Sequence, residues 1–231
     1  PGTEAHDLGG DDAPGHHADD HAGMTNPINP IPTTYAGCAF RSRLEARWAV
    51  LFDALGIDWL YEPQGFNVAE REGRRHAYLP DFYLPANRLW VEVKGTDDAM
   101  DVDKLIAATA PSDEGGLPLD PEGTVDTHDR RNGPRMLILG PIPRTPSQHG
   151  VVWFHKGDWG LGWGRFAPGA FAHDTAHFDE AGTFYRDSGE RYTPSHGFTE
   201  ARPIPHPYPA LVAAYDAARR ARFEHGDRGW P

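Results

Sequence analysis

Residues 89–94 (LWVEVK) leave the backbone little choice. Leu89, Val91 and Val93 alternate with Trp90, Glu92 and Lys94, the period-two pattern of an extended strand. The valines anchor one face in a core, so Glu92 and Lys94 project together from the other. A carboxylate and an ammonium side by side on an apolar strand need a chemical reason. Ahead of them stands YLPDFYLP (78–85), part of a second extended stretch over 75–84 that Pro80 interrupts. Asp81 lies eleven residues before Glu92, close enough for a hairpin to set the two carboxylates side by side.

Two carboxylates brought together repel and raise one another's pKa unless a cation neutralises them. Mg²⁺ suits such a site, because it takes oxygen ligands and keeps several waters for chemistry; Mn²⁺ is able to stand in. The metal would polarise a phosphodiester oxygen and generate hydroxide from bound water. Lys94 would orient or deprotonate that water, or stabilise charge developing on the phosphate. The backbone carbonyl of Val93, between the two side chains, is a further candidate ligand.

Upstream, Phe40, Leu44, Trp48, Leu51, Phe52 and Leu55 recur at helical spacing, and Gly56 supplies the stop. Glu45 borders the buried face of this helix. It could reach toward the sheet and assist the metal, or pair on the helix surface with Arg41. Residues 57–62 (IDWLYE) and 65–69 read as short strands, residues 98–110 as a short helix, and 111–134 as a long loop. Residues 135–140 (RMLILG) and 151–155 (VVWFH) are apolar enough for buried strands. Residues 157–207 have no clear period, and a helix over about 208–225 carries Leu211, Tyr215 and Phe223 as its stripe.

The order of a helix with Glu45, then Pro80-Asp81, then Glu92-Val93-Lys94 resembles the PD-(D/E)XK nuclease superfamily with its restriction-endonuclease-like core. With YEPQGF (61–66) ahead of it, the set looks like the branch that holds transposase end-cutting endonucleases and many phage and actinobacterial proteins. The resemblance covers residues 35–110, with the strands at 135–155 completing the sheet. It implies an α/β fold, a central mixed sheet flanked by helices, with a loop-rich C-terminal extension ending in a helix. It further implies a Mg²⁺-dependent deoxyribonuclease acting as an endonuclease and leaving a 5′-phosphate and a 3′-hydroxyl. Asp81 and Glu92 would bind the metal, Lys94 would be the catalytic lysine, Glu45 an auxiliary acid, and Gln64 a secondary candidate at the same edge. A catalytically inactive module of the same fold, binding nucleic acid or protein, is the alternative.

The formal net charge of −12 runs against tight non-specific DNA binding. Its distribution matters more than its sum. Residues 1–23 hold six acids and no Lys or Arg, whereas Arg41, Arg43, Arg74 and Arg75 offer local positive surface for nucleic acid. Arg219, Arg220 and Arg222 could grip phosphate or form a solvated helix face. One cysteine, Cys38, excludes an internal disulfide and any multi-cysteine zinc site, which suits a reducing cytoplasm. No apolar run has the length of a membrane span.

Three domains follow: an acidic, His-rich, disordered tail (1–34), a nuclease core (35–156), and a Gly-, Pro- and aromatic-rich extension with its helix (157–231). The chain opens on Pro1, which reads as a fragment or a start placed too early, with Met24 the candidate start. Cutting both strands with one site per chain calls for a homodimer or a targeting partner. His173 and His177, and His17 and His21, share an i, i+4 spacing but lack the third and fourth ligands zinc wants. Gly160, Gly162 and Gly164 read as turn glycines rather than a nucleotide loop.

Overall fold

The helix predicted ahead of the motifs forms as α1, Arg43–Leu55. Ser42 caps it by accepting the Glu45 N–H, and Gly56 ends it in the left-handed conformation at φ 64°. Phe40 lies outside the helix, in a hairpin of β1 (Thr33–Tyr35) and β2 (Cys38–Phe40). Ala36 and Gly37, its two turn residues, both take positive φ, as tight hairpins require. The computed structural model describes residues 30–69, 73–125, 133–155, 158–173 and 197–223. Most of the predicted acidic tail therefore lies outside the described residues, while Thr33 and Thr34 belong to β1.

Five further segments lead to the first sheet crossover: β3 (Leu60–Tyr61), β4 (Phe66–Ala69), β5 (Arg75–Tyr78), β6 (Phe82–Leu84) and β7 (Leu89–Val93). Strands β4 and β5 form their own two-stranded ribbon. After β7 come α2 (Val102–Thr109), β8 (Arg135–Leu139), β9 (Ser147–His155), β10 (Asp158–Ala167), β11 (Ala170–His173), β12 (Arg202–Pro203) and α3 (Pro209–Arg220). The main sheet runs β11-β10-β9-β8-β7-β6-β3, with β12 also paired to β9. Strands β7 and β8 are parallel and the rest antiparallel, so α2 rides the one long crossover.

Alternation along the strands sorts the core into two layers. Phe82, Leu84, Leu89, Val91, Val93, Leu137 and Leu139 meet α1 and α3 on one face. Tyr83, Trp90, Met136 and Ile138 meet α2 and the β4–β5 ribbon on the other. The protein is thus α/β, a mixed sheet between helices, and β7 is buried along its whole length. Helix α3 buries Leu211 and Tyr215 as its stripe predicts, and Phe223 packs edge-on against Tyr35. Among the described residues, no helix is long and apolar enough to cross a membrane.

Two expectations fail for physical reasons. Residues 57–62 shrink to the two-residue β3, because the Ile57 N–H is spent on the Phe52 carbonyl to finish α1. Gly160, Gly162 and Gly164 lie inside strand β10 rather than in a turn. They face Trp153, Val151 and His149 of β9, so large side chains stand opposite small ones. A Cβ on Gly160 would already touch the Trp153 indole at 3.7 Å. Glycine weakens strands on average, which hid this one. The sheet accordingly continues past residue 157, and α3 returns to α1.

Candidate active site at the end of β6 and β7

Asp81 stands just before β6 and is held in the ladder on both sides. Its N–H donates to the Val91 carbonyl (3.0 Å), and its carbonyl accepts the Glu62 N–H (2.9 Å). Asp81 immediately precedes the Phe82/Val91 pair, and its carboxylate lies close enough to Glu92 for the two charges to interact. The Asp81 side chain is almost wholly buried. Its Oδ2 accepts the Val93 N–H at 2.6 Å, and its Oδ1 takes the Arg41 guanidinium at 2.8 Å.

Glu92, also buried, accepts a hydrogen bond from the Tyr78 hydroxyl (2.8 Å) on Oε2. Its Oε1 lies 2.5 Å from the Lys94 ammonium. The alternation that placed Glu92 and Lys94 on one face thus delivers a contact. The two motifs, predicted to meet through a hairpin, do meet.

Burial pushes the Asp81 carboxyl up to about 8, and the neighbouring charge of Glu92 adds to it. The Val93 N–H pulls the other way, Glu45 raises it further, and Lys94 offsets part. Arg41 does not cancel the effect, because its side chain is 56% exposed and is shared with Glu62. For Lys94, burial works against the charged form, but Glu92 and Asp81 outweigh it and its pKa is raised. The ammonium therefore stays charged at neutral pH. Tyr78 is lifted well above the usual phenol range by burial and by Glu92, so it remains a donor.

Glu45 reaches the same corner from the first turn of α1, 7% exposed. Its carboxylate accepts hydrogen bonds from Ser42 Oγ (2.7 Å), Tyr61 OH (2.6 Å) and the Arg41 N–H (3.2 Å). With the Ser42 cap this makes a reciprocal N-terminal box. Glu45 is electrically close enough to raise Asp81, while its oxygens are spent on local donors.

Gln64 lies exposed in the β3–β4 loop. Of the candidate arginines, Arg41 joins the site, whereas Arg74 and Arg75 lie exposed at the start of β5, the opposite end from Tyr78. Arg43 opens α1. Arg219 bonds to the carbonyls of Pro143 and Arg144 and pairs with Asp216, which ties it to its own chain. His173 lies at the end of β11, and His17, His21 and His177 lie outside the described residues.

Sequence reasoning missed Tyr78, Tyr61 and Glu62. Tyr78 sits within the YLPDFYLP stretch, but nothing local says that its hydroxyl turns to Glu92. Arg41, expected as part of a local positive surface for nucleic acid, bridges Asp81 and Glu62 here.

The donor chemistry fits a hard divalent cation. Among the described residues, Glu45, Glu62, Asp81 and Glu92 stand against Arg41 and Lys94, which leaves an excess of negative charge in a buried corner. Oxygen atoms on adjacent strands are what Mg²⁺ prefers, and the Val93 backbone is within one hydrogen bond of the Asp81 carboxylate. Among the described residues, no three His, Cys, Asp or Glu side chains stand together as a formed metal cage.

A pH signature follows. The folded pKa of Asp81 lies near 8, against about 3.9 when unfolded. Between those values the folded state binds the proton that the unfolded state has released, so stability falls as pH rises. Thermal melts in EDTA should show Tm dropping from pH 5 to pH 8.5, with a shallower slope for Asp81→Asn. Mn²⁺ should raise Tm more at pH 8.5 than at pH 5. Equal slopes for the two proteins would exclude Asp81 as the source.

Comparison with known proteins finds no matching family model, no similar curated protein and no similar solved structure, so the reading of this site rests on its own geometry.

Proposed function

We propose that this chain is a metal-dependent nuclease of the PD-(D/E)XK type that hydrolyses DNA phosphodiester bonds as an endonuclease. The observation that carries the reading is the buried Asp81 carboxylate, bonded to the Val93 N–H and close to Glu92, with Lys94 paired to Glu92 and the first turn of α1 beside them. A Mg²⁺ held by Asp81 and Glu92, with the Val93 carbonyl as a further ligand, would polarise the phosphate and supply an activated water.

The protein's own groups do the rest. Val93 N–H fixes one Asp81 oxygen, so that carboxylate keeps a single orientation. Tyr78 does the same for Glu92. Lys94 keeps its proton, which suits it to stabilising charge on the phosphate and orienting water rather than to acting as a base. Glu45 contributes negative potential and anchors the start of α1.

One observation favours a second reading, an inactive module of the same fold that binds nucleic acid or protein. Arg41 and Lys94 already give both carboxylates a cationic partner. That reading predicts binding without turnover and without need of divalent metal.

The deciding experiment incubates purified protein with supercoiled plasmid and with linear single- and double-stranded DNA, in Mg²⁺, Mn²⁺ or EDTA. Cleavage confined to the metal samples supports the nuclease and shows which DNA form is attacked. DNA retention without cleavage in any sample selects the binding module. Cytoplasmic residence, and a homodimer or targeting partner for double-strand cutting, belong to the same proposal.

A further inference from the structure

Arg41 stands where a metal would have to act. Its backbone is pinned: the N–H donates to both Glu45 Oε2 (3.2 Å) and Tyr61 OH (3.0 Å). Its side chain, in contrast, is more than half exposed and reaches into the corner from outside. The guanidinium Nη2 lies 2.8 Å from Asp81 Oδ1, while Nε pairs with Glu62. Asp81 has committed its other oxygen to the buried Val93 N–H. Oδ2 is thus tied to a backbone N–H inside the sheet, while Oδ1 is the oxygen that the exposed Arg41 side chain holds.

We infer that Arg41 is an exchangeable cap on the site: it holds Asp81 Oδ1 until a divalent cation takes that oxygen, and it must leave for the cation to bind there. This inference rests on the nuclease reading, since it concerns the regulation of the same site. Three physical points carry it. A divalent ion on Oδ1 would stand within a few ångströms of a permanent positive charge, a repulsion that solvent at the exposed guanidinium weakens but does not remove. The exposed guanidinium is readily rehydrated when it leaves, so its departure costs little. Glu62 already holds its Nε and offers a resting place outside the carboxylate pair. Lys94 differs in depth: its side chain is half as exposed as that of Arg41, so its ammonium is less readily rehydrated.

The consequence is a metal affinity set by competition. Removing Arg41 should tighten Mn²⁺ binding on the order of tenfold, the effect of losing one competing charge contact. Mn²⁺ binding is measured by titration calorimetry, or by loss of the free-ion paramagnetic resonance signal, on the full chain without DNA. The proteins compared are wild type, Arg41→Ala, Arg41→Gln, Arg43→Ala and Asp81→Asn. The glutamine variant keeps a polar, uncharged side chain should the alanine variant fold poorly.

Tighter Mn²⁺ binding in both Arg41 variants, little change in Arg43→Ala, and loss in Asp81→Asn support the exchange. Unchanged or weaker binding in the Arg41 variants overturns it and leaves the nuclease reading standing. An equal gain in Arg43→Ala also overturns it, because the effect would then be a general field at the start of α1. No Mn²⁺ bound by any of the proteins overturns both the exchange and the metal-dependent reading beneath it.

Discussion

Lys94→Ala is expected to lower metal-dependent cleavage of plasmid DNA by about 10²–10³-fold, as loss of one preorganised charge donor does elsewhere. Asp81→Ala should lose at least as much, since it removes one of the two metal carboxylates. The geometry separates the two variants. Lys94 contacts Glu92 directly, so its loss leaves a buried carboxylate whose remaining charge partner would be the metal. Mn²⁺ binding should therefore survive Lys94→Ala and fail in Asp81→Ala. Lys94→Arg keeps the charge but not the compact ammonium, and partial activity is expected. Cleavage assays, with Mn²⁺ titrations and melts of the same preparations, check all three. Full activity in Lys94→Ala or in Asp81→Ala would exclude the proposed chemistry at this corner.

The second large effect is on stability and lies behind the site. Trp48 is fully buried on α1, and its indole N–H donates to the Gly140 carbonyl at 2.9 Å, just past the end of β8. Its ring meets Phe52, His149, Phe166 and Tyr215, with centroids 5.2–6.4 Å apart. One side chain thus joins α1, α3 and the sheet. Trp48→Ala should cost about 3–5 kcal/mol through the cavity it opens. The Gly140 carbonyl left unpaired adds about 1–3 kcal/mol. Since domains of this kind are stable by about 5–15 kcal/mol in all, the variant should be close to unfolding at physiological temperature. Trp48→Phe keeps most of the packing, loses the hydrogen bond, and should cost far less. Urea unfolding measures both, and a Trp48→Ala loss below about 1 kcal/mol would contradict this account of the core.

Activity and stability variants also test different layers. Asp81 and Lys94 sit where β6 begins and β7 ends, whereas Trp48 holds the helix layer that places Arg41, Ser42 and Glu45 over that corner. Weakening Trp48 should blur the site indirectly, with loss of activity tracking the melt. The Lys94 variant leaves Glu92 buried without its partner, so its melt should fall too, but its activity should fall far more than the melt accounts for.

Much of the fold was legible because the informative patterns are local. Gly56 ends α1 as its place after Leu55 suggests, through hydrogen bonds spanning only a few residues. The two-residue alternation in 89–93 dictates which side chains share a face of β7, whatever strand lies next to it. The Pro80 interruption and the short connection after Leu84 made a hairpin the economical way to bring Asp81 to Glu92. Strand β10 was illegible, because its glycines are poor strand formers alone and are tolerated only opposite the large residues of β9.

For the candidate site the division is sharper. The sequence by itself determined that Glu92 and Lys94 project together and that Asp81 stands near them, since backbone pleat and hairpin length are short-range properties. Only the tertiary structure decided that Arg41, forty residues away, holds Asp81, that Tyr78 turns its hydroxyl to Glu92, and that Glu45 spends its carboxylate on the start of α1. Those partners are chosen by which elements the core presses together, and side chains far apart in the chain carry no local sign of the neighbour that packing will give them.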